Sequence, residues 1–124
     1  MGKPTREDAT LLVQLAQLQA SQPHIDGAAD FMGKDFPKTH ADLVAKFPDR
    51  TGPTWRALGQ AAVFYETVAT LVRRELFSEE LCHDWIWTAG VWRALAPAVE
   101  GWRVESGEPR LYENFEWLAK RADA

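Results

Sequence analysis

Apolar positions along the chain mark out its elements. A cap-like Thr5 with Glu7 and Asp8 behind it leads into Leu11, Leu15 and Leu18 at i, i+4 and i+7, with Leu12 alongside, which predicts a first helix running to about Ala20. From Gln22 to Gly52 the pattern is cut by Pro23, Gly27, Gly33, Pro37 and Pro48, so only short helices fit: a turn or two over 28–32, and a second from the Thr39 cap through Leu43 to Phe47. Gly52-Pro53 then opens the longest uninterrupted segment, because proline at the first helical position gives up no hydrogen bond. Ala57, Leu58, Ala61, Phe64, Tyr65, Val68, Leu71, Val72 and Leu76 cover about half of its circumference. A helix over about 53–76 follows, roughly 36 Å long.

Ser78-Glu79-Glu80 supplies a cap and early acids for the next element. Leu81, Trp85, Thr88, Trp92, Leu95, Val99 and Trp102 alternate spacings of 4 and 3, the period of a helix-packing seam. The seam keeps phase through Pro97, which predicts one helix over about 78–106, kinked near 97. Trp87 points about 200° away from Trp85 on such a helix. Its face carries Gly90, Val91, Ala94, Ala98 and Gly101, so the helix is apolar on two opposite sides, with charge confined to a strip around Arg93 and Glu100. Such a helix is either the middle of the fold or covered by another chain.

Gly107 and Pro109 end that element, and Leu111, Phe115, Leu118 and Ala122 define a last amphipathic helix, with Trp117 opposite Phe115 among Glu113, Lys120 and Arg121. No strand alternation, internal repeat or low-complexity tract is visible. The expected fold is all-α: one domain over 1–124, a small helical bundle with two long core helices and shorter N- and C-terminal helices.

Four stretches resemble a bacterial helical family: F-Y-E at 64–66, R-R-E-L-F-S-E-E-L at 73–81, W-R-A-L-A-P at 92–97 and W-R-V-E-S-G-E-P-R-L-Y-E-N-F-E-W-L-A at 102–119. The chain is similar there to the proteins filed as domain of unknown function 4760, over roughly residues 40–119, with the first helix outside the likeness. The resemblance implies an all-helical domain and supplies no reaction. Some relatives carry a membrane helix ahead of this region; this sequence shows none, so membrane attachment is not carried over.

Composition narrows the chemistry. A net charge of -4 and a pI near 5.3 argue against a phosphate-backbone binder, and the two adjacent basic pairs, Arg73-Arg74 and Lys120-Arg121, fall where helices end and cations suit the macrodipole. A single cysteine, Cys82, leaves no internal disulfide and argues against a cysteine-based metal site. With no apolar run near the length of a membrane span and no secretory signal, the sequence reads as cytoplasmic.

No motif commits the chain to catalysis. Glu80 and His83 have the E-x-x-H spacing of di-iron bundles, but the motif does not recur, so no metal or other cofactor is expected. Cys82, His83 and Asp84 are consecutive, and on a helix their side chains point about 100° apart, which cannot make a nucleophile–base–orienter chain. Glu113 and Glu116 share a face, yet Glu116 precedes Lys120 by four, the favourable order for an ion pair. Glu66 at the edge of the apolar arc and Arg103 on the seam side suggest a partly buried contact that fixes helix register, or a pair that anchors a polar ligand.

The sequence therefore reads as a non-catalytic protein that binds a protein partner or itself, as a homodimer, through Trp87, Val91, Ala94, Ala98 and Trp117. The alternative is a small-molecule-binding protein or enzyme with a pocket between the long helices, lined by Trp55, Tyr65, Trp85, Trp92 and Trp102.

Overall fold

A computed structural model describes residues 2–22, 31, 33 and 35–122. Among these residues six α-helices follow one another: α1 (Arg6–Ser21), α2 (His40–Lys46), α3 (Pro53–Arg73), α4 (Glu79–Trp85), α5 (Thr88–Ser106) and α6 (Glu113–Ala122). Among the described residues there is no strand, and the fold is an all-α bundle. The segment over 28–32 lies outside the described residues except for Phe31, which is buried.

Caps act where the sequence places them. Thr5 and Asp8 form a reciprocal capping box at α1, and Thr39 and Ser78 each accept a backbone N–H at the start of α2 and α4. Asp8 also accepts the Ser78 N–H at 3.0 Å, which ties the start of α1 to the start of α4.

The spine is α3, with Leu58, Ala61, Ala62, Val68, Ala69 and Val72 fully buried. It ends at Arg73 rather than near 76. Glu75 takes a left-handed conformation (φ 61°), and the Leu76 and Phe77 N–H groups both turn back to the Leu71 carbonyl. Phe77 thereby takes the core position and Leu76 is left 65% exposed. Left-handed backbone at a residue other than glycine costs about 1 kcal/mol, and the burial of Phe77 offsets it.

The expected helix over 78–106 is two helices. Ile86 is extended (φ -131°, ψ 148°) and Trp87 stands outside helical space (φ -95°, ψ 77°), so α4 stops after seven residues and α5 starts afresh at Thr88. Trp85-Ile86-Trp87-Thr88 is a run of aromatic and β-branched residues, each a poor helix former. The seam survives the break: Thr88, Leu95 and Val99 are buried and Trp85 packs edge-on against Phe64 and Phe77. Pro97 lies inside α5, and the helix runs on through it.

Packing is most extensive where α6 lies between α3 and α5. Phe115 and Leu118 are fully buried there; Phe115 stacks on Tyr65 at 5.2 Å and meets Trp92 edge-on at 5.1 Å. Trp55, Trp102 and Tyr112 continue the aromatic interior, and the Trp55 indole donates to the Phe47 carbonyl at 2.7 Å. On the opposite side of α5 lie α2 and, across a cleft, Phe31, Phe36 and Pro37.

Gly101 is where α2 comes closest to α5, because a Cβ there would fall within the His40 ring, which meets Trp55 edge-on. Gly101→Ala is therefore expected to lose about 1–3 kcal/mol through overpacking, against the roughly 1 kcal/mol that alanine ordinarily gains inside a helix. Urea unfolding checks the sign; a more stable variant would show that α2 yields freely.

Candidate functional site

Five residues are expected on one contact surface, and the structure separates them. Ala98 is fully buried and Val91 is 8% exposed, so both are core residues. Ala94 is half-buried at the wall of a cleft. Trp117 is half-buried with guanidinium groups close to its ring, Arg73 at 5.2 Å and Arg121 at 5.0 Å, so its ring is engaged within the chain. Trp87 alone of the five is open to solvent, at 59%.

That exposed ring is held in place. Trp87 occupies the cap position of α5 without a side-chain hydrogen bond, and its indole lies over Gly90 so closely that a Cβ on Gly90 would come within 2.5 Å of the ring. The Arg93 guanidinium stands 5.6 Å from the ring centroid. The missing side chain at Gly90 makes room for the ring three residues earlier.

Trp87 forms the wall shared by two clefts. One, of about 280 Å³, runs between Phe36, Pro37 and Lys38 on one side and Gly90, Arg93, Ala94 and Pro97 on the other. The second, of about 480 Å³, lies on the α4 side and is lined by Glu79, His83, Asp84, Trp85, Ile86, Thr88 and Arg121. Its far wall is fixed by Glu79, which accepts two hydrogen bonds from Arg121 at 2.8 and 2.9 Å and lies 3.2 Å from His83 Nε2. Those partners, Arg121 first, hold the Glu79 carboxyl below its ordinary range. Asp84 and Lys38, one in each cleft, are exposed and make no hydrogen bond or ion pair among the described residues.

Glu66 and Arg103 do not pair with each other. Glu66 accepts the Phe115 N–H at 2.8 Å and the Asn114 side-chain amide at 2.9 Å, so it caps α6 from the middle of α3. Arg103 donates to the Leu111 carbonyl at 2.8 Å and lies 3.0 Å from Glu116, holding the turn that precedes α6. Both act on the C-terminal helix, which sequence spacing does not reveal. The rings expected to line a pocket fill one another's space, and the two clefts at Trp87 are bounded by other residues apart from Trp85.

Of the other residues singled out by spacing, Cys82 is buried and His83, Glu113 and Glu116 are paired within the chain. Burial, and secondarily the Glu79 carboxylate, push the Cys82 thiol up to about 12, which leaves it protonated at neutral pH. His83 partners Glu79 and not Glu80. Glu116 meets Lys120 at 2.7 Å, as the spacing suggests, while Glu113 pairs with Arg110 at 2.8 Å. Among the described residues no group of three His, Cys, Asp or Glu side chains is placed to hold a metal ion. None of the helices described is long and apolar enough to cross a membrane.

The sequence signals the site incompletely. Lys38, Asp84 and Arg93 carry no motif; the one available sign was the low helix propensity of residues 85–88, which frees Trp87 from the helix. Gly90→Ala is expected to lift the Trp87 ring from its seat while leaving thermal stability unchanged or slightly raised, since an exposed ring can swing away and alanine favours the helix. The indole N–H resonance of Trp87 reports this; an unshifted resonance would show that the ring is not seated on Gly90.

Comparison with known proteins adds a family and no activity. No curated protein matches the chain, and no solved structure does. A family model described as a domain of unknown function, DUF4760, matches residues 4–122. The match takes in α1, which the sequence resemblance left outside. With nearly its whole length matched, the chain belongs to the DUF4760 family.

Proposed function

We propose that the protein is a cytoplasmic, non-catalytic binding protein of bacterial origin that docks onto a protein surface through Trp87. The observation that carries this reading is the indole itself: 59% exposed, yet held over Gly90 with Arg93 beside it. Tryptophan is over-represented among residues that dominate binding energy, and an anchor ordered in the free protein spares the entropy of ordering it on contact. The clefts on either side give a partner somewhere to seat its own side chains.

The reading in which a small molecule sits among Trp55, Tyr65, Trp85, Trp92 and Trp102 is less well supported. Trp85 lines the cleft on the α4 side but packs on Phe64 and Phe77, the other four rings pack on each other or on Phe115, and Glu66 and Arg103, its polar anchors, are engaged by the α6 segment.

Trp87→Arg is the direct test. Since the ring lies outside the core, the variant should keep its helical circular-dichroism spectrum and melt within a few degrees of the parent, a surface change being worth about 0.5 kcal/mol or less. Proteins recovered with the parent by affinity capture from cell extract should fall about tenfold or more with the variant. Equal recovery by a folded variant would contradict the proposal.

A further inference from the structure

We propose that the partner of this face is a second copy of the same chain, paired across a two-fold axis that sets the two Trp87 indoles against each other and brings Asp84 of each protomer to the partner's Lys38. The inference rests on the reading of Trp87 as a protein-binding anchor and names what binds there.

Charge is the argument. The cleft on the α4 side of Trp87 carries Asp84, and the cleft on the other side carries Lys38 together with Arg93. In the same cleft as Asp84, Glu79 takes Arg121. Asp84 and Lys38 take no such partner among the described residues, although both are exposed. One unpaired charge of each sign therefore flanks a single exposed aromatic ring.

A two-fold contact uses the same patch twice, so residue i of one copy meets residue j of the other and the reverse. Rotation by 180° about an axis at Trp87 exchanges the flanks, and the acidic side of each copy comes to lie on the basic side of its partner. Had both flanks carried one sign, the same rotation would have set like charges together. The patch is complementary to itself, whereas a different protein would have to supply a matching pair of charges. The indoles provide the desolvated centre of such an interface, and the rim charges provide its orientation.

Sedimentation equilibrium of the full chain and its variants tests this through a charge swap. The parent is expected to dimerise, and Asp84→Lys or Lys38→Glu, each at an exposed position, to weaken the dimer about tenfold or more by opposing like charges twice across the axis. An equimolar mixture of the two single variants should dimerise again, because Lys introduced at 84 then faces Glu introduced at 38, and the native Asp84 faces the native Lys38. Far-ultraviolet circular dichroism on each variant separates loss of pairing from loss of fold.

A parent that stays monomeric up to about 1 mM, the concentration scale of the weakest specific contacts, would overturn the pairing. Folded single variants that dimerise as tightly as the parent, or a mixture that stays monomeric, would overturn it as well. If the pairing fails but Trp87→Arg still removes captured proteins, the anchor stands and its partner is another protein; if both fail, the anchor falls too.

Discussion

A carboxylate in the middle of α3 holds the C-terminal helix in place. Glu66 accepts the Phe115 N–H and the Asn114 amide, two donors at the start of α6, and does from a neighbouring helix what a cap residue ordinarily does from the same one. The local residue that would have capped α6, Tyr112, is in left-handed backbone (φ 58°) with its ring packed on Trp102, so the cap must come from elsewhere. Arg103 secures the other strand of the same turn at the Leu111 carbonyl. With both in place, Phe115 and Leu118 enter the groove between α3 and α5, where burial of each large apolar side chain contributes about 1.5–3 kcal/mol.

The exposed tryptophan depends on that arrangement at one remove. Once α6 is seated, Arg121 in its last turn reaches Glu79 at the start of α4, and Asp8 of α1 binds Ser78 just before it. The α4 segment is thus fixed at its beginning from two directions. At its end, four poor helix formers release the chain at Ile86, and Trp87 leaves the helical path with its ring resting on the next turn. An unbroken helix would have carried Trp87 about 200° from the seam; the break places it at a junction between two clefts.

The all-α architecture and much of the core were legible because burial imposes a period. Leu58, Phe64, Val68, Leu95 and Val99 fall where their spacing puts them, and Thr5, Thr39 and Ser78 cap where they should. The break at 86–87 was hidden by the same seam: Trp85 and Thr88 face the core whether or not the helix continues between them, so period alone cannot detect the hinge. Of the two arrangements that fit a helix apolar on both sides, the middle of the fold is the one seen at Val91 and Ala98, which are buried within the chain, and α2, which packs on α5, comes from a loop-rich stretch with little periodicity of its own. Glu66 stood out as a charge at an apolar border, but its partner is a backbone amide 49 residues away, which no side-chain pattern records.

Hydrogen exchange at the Phe115 amide tests the central claim most directly. In the parent this amide should exchange only as fast as the bundle opens, and in Glu66→Ala its protection should fall about tenfold or more, the equivalent of one charge-assisted hydrogen bond, while amides in the middle of α3 lose much less. Rapid exchange at Phe115 in the parent, or protection untouched by the substitution, would contradict it.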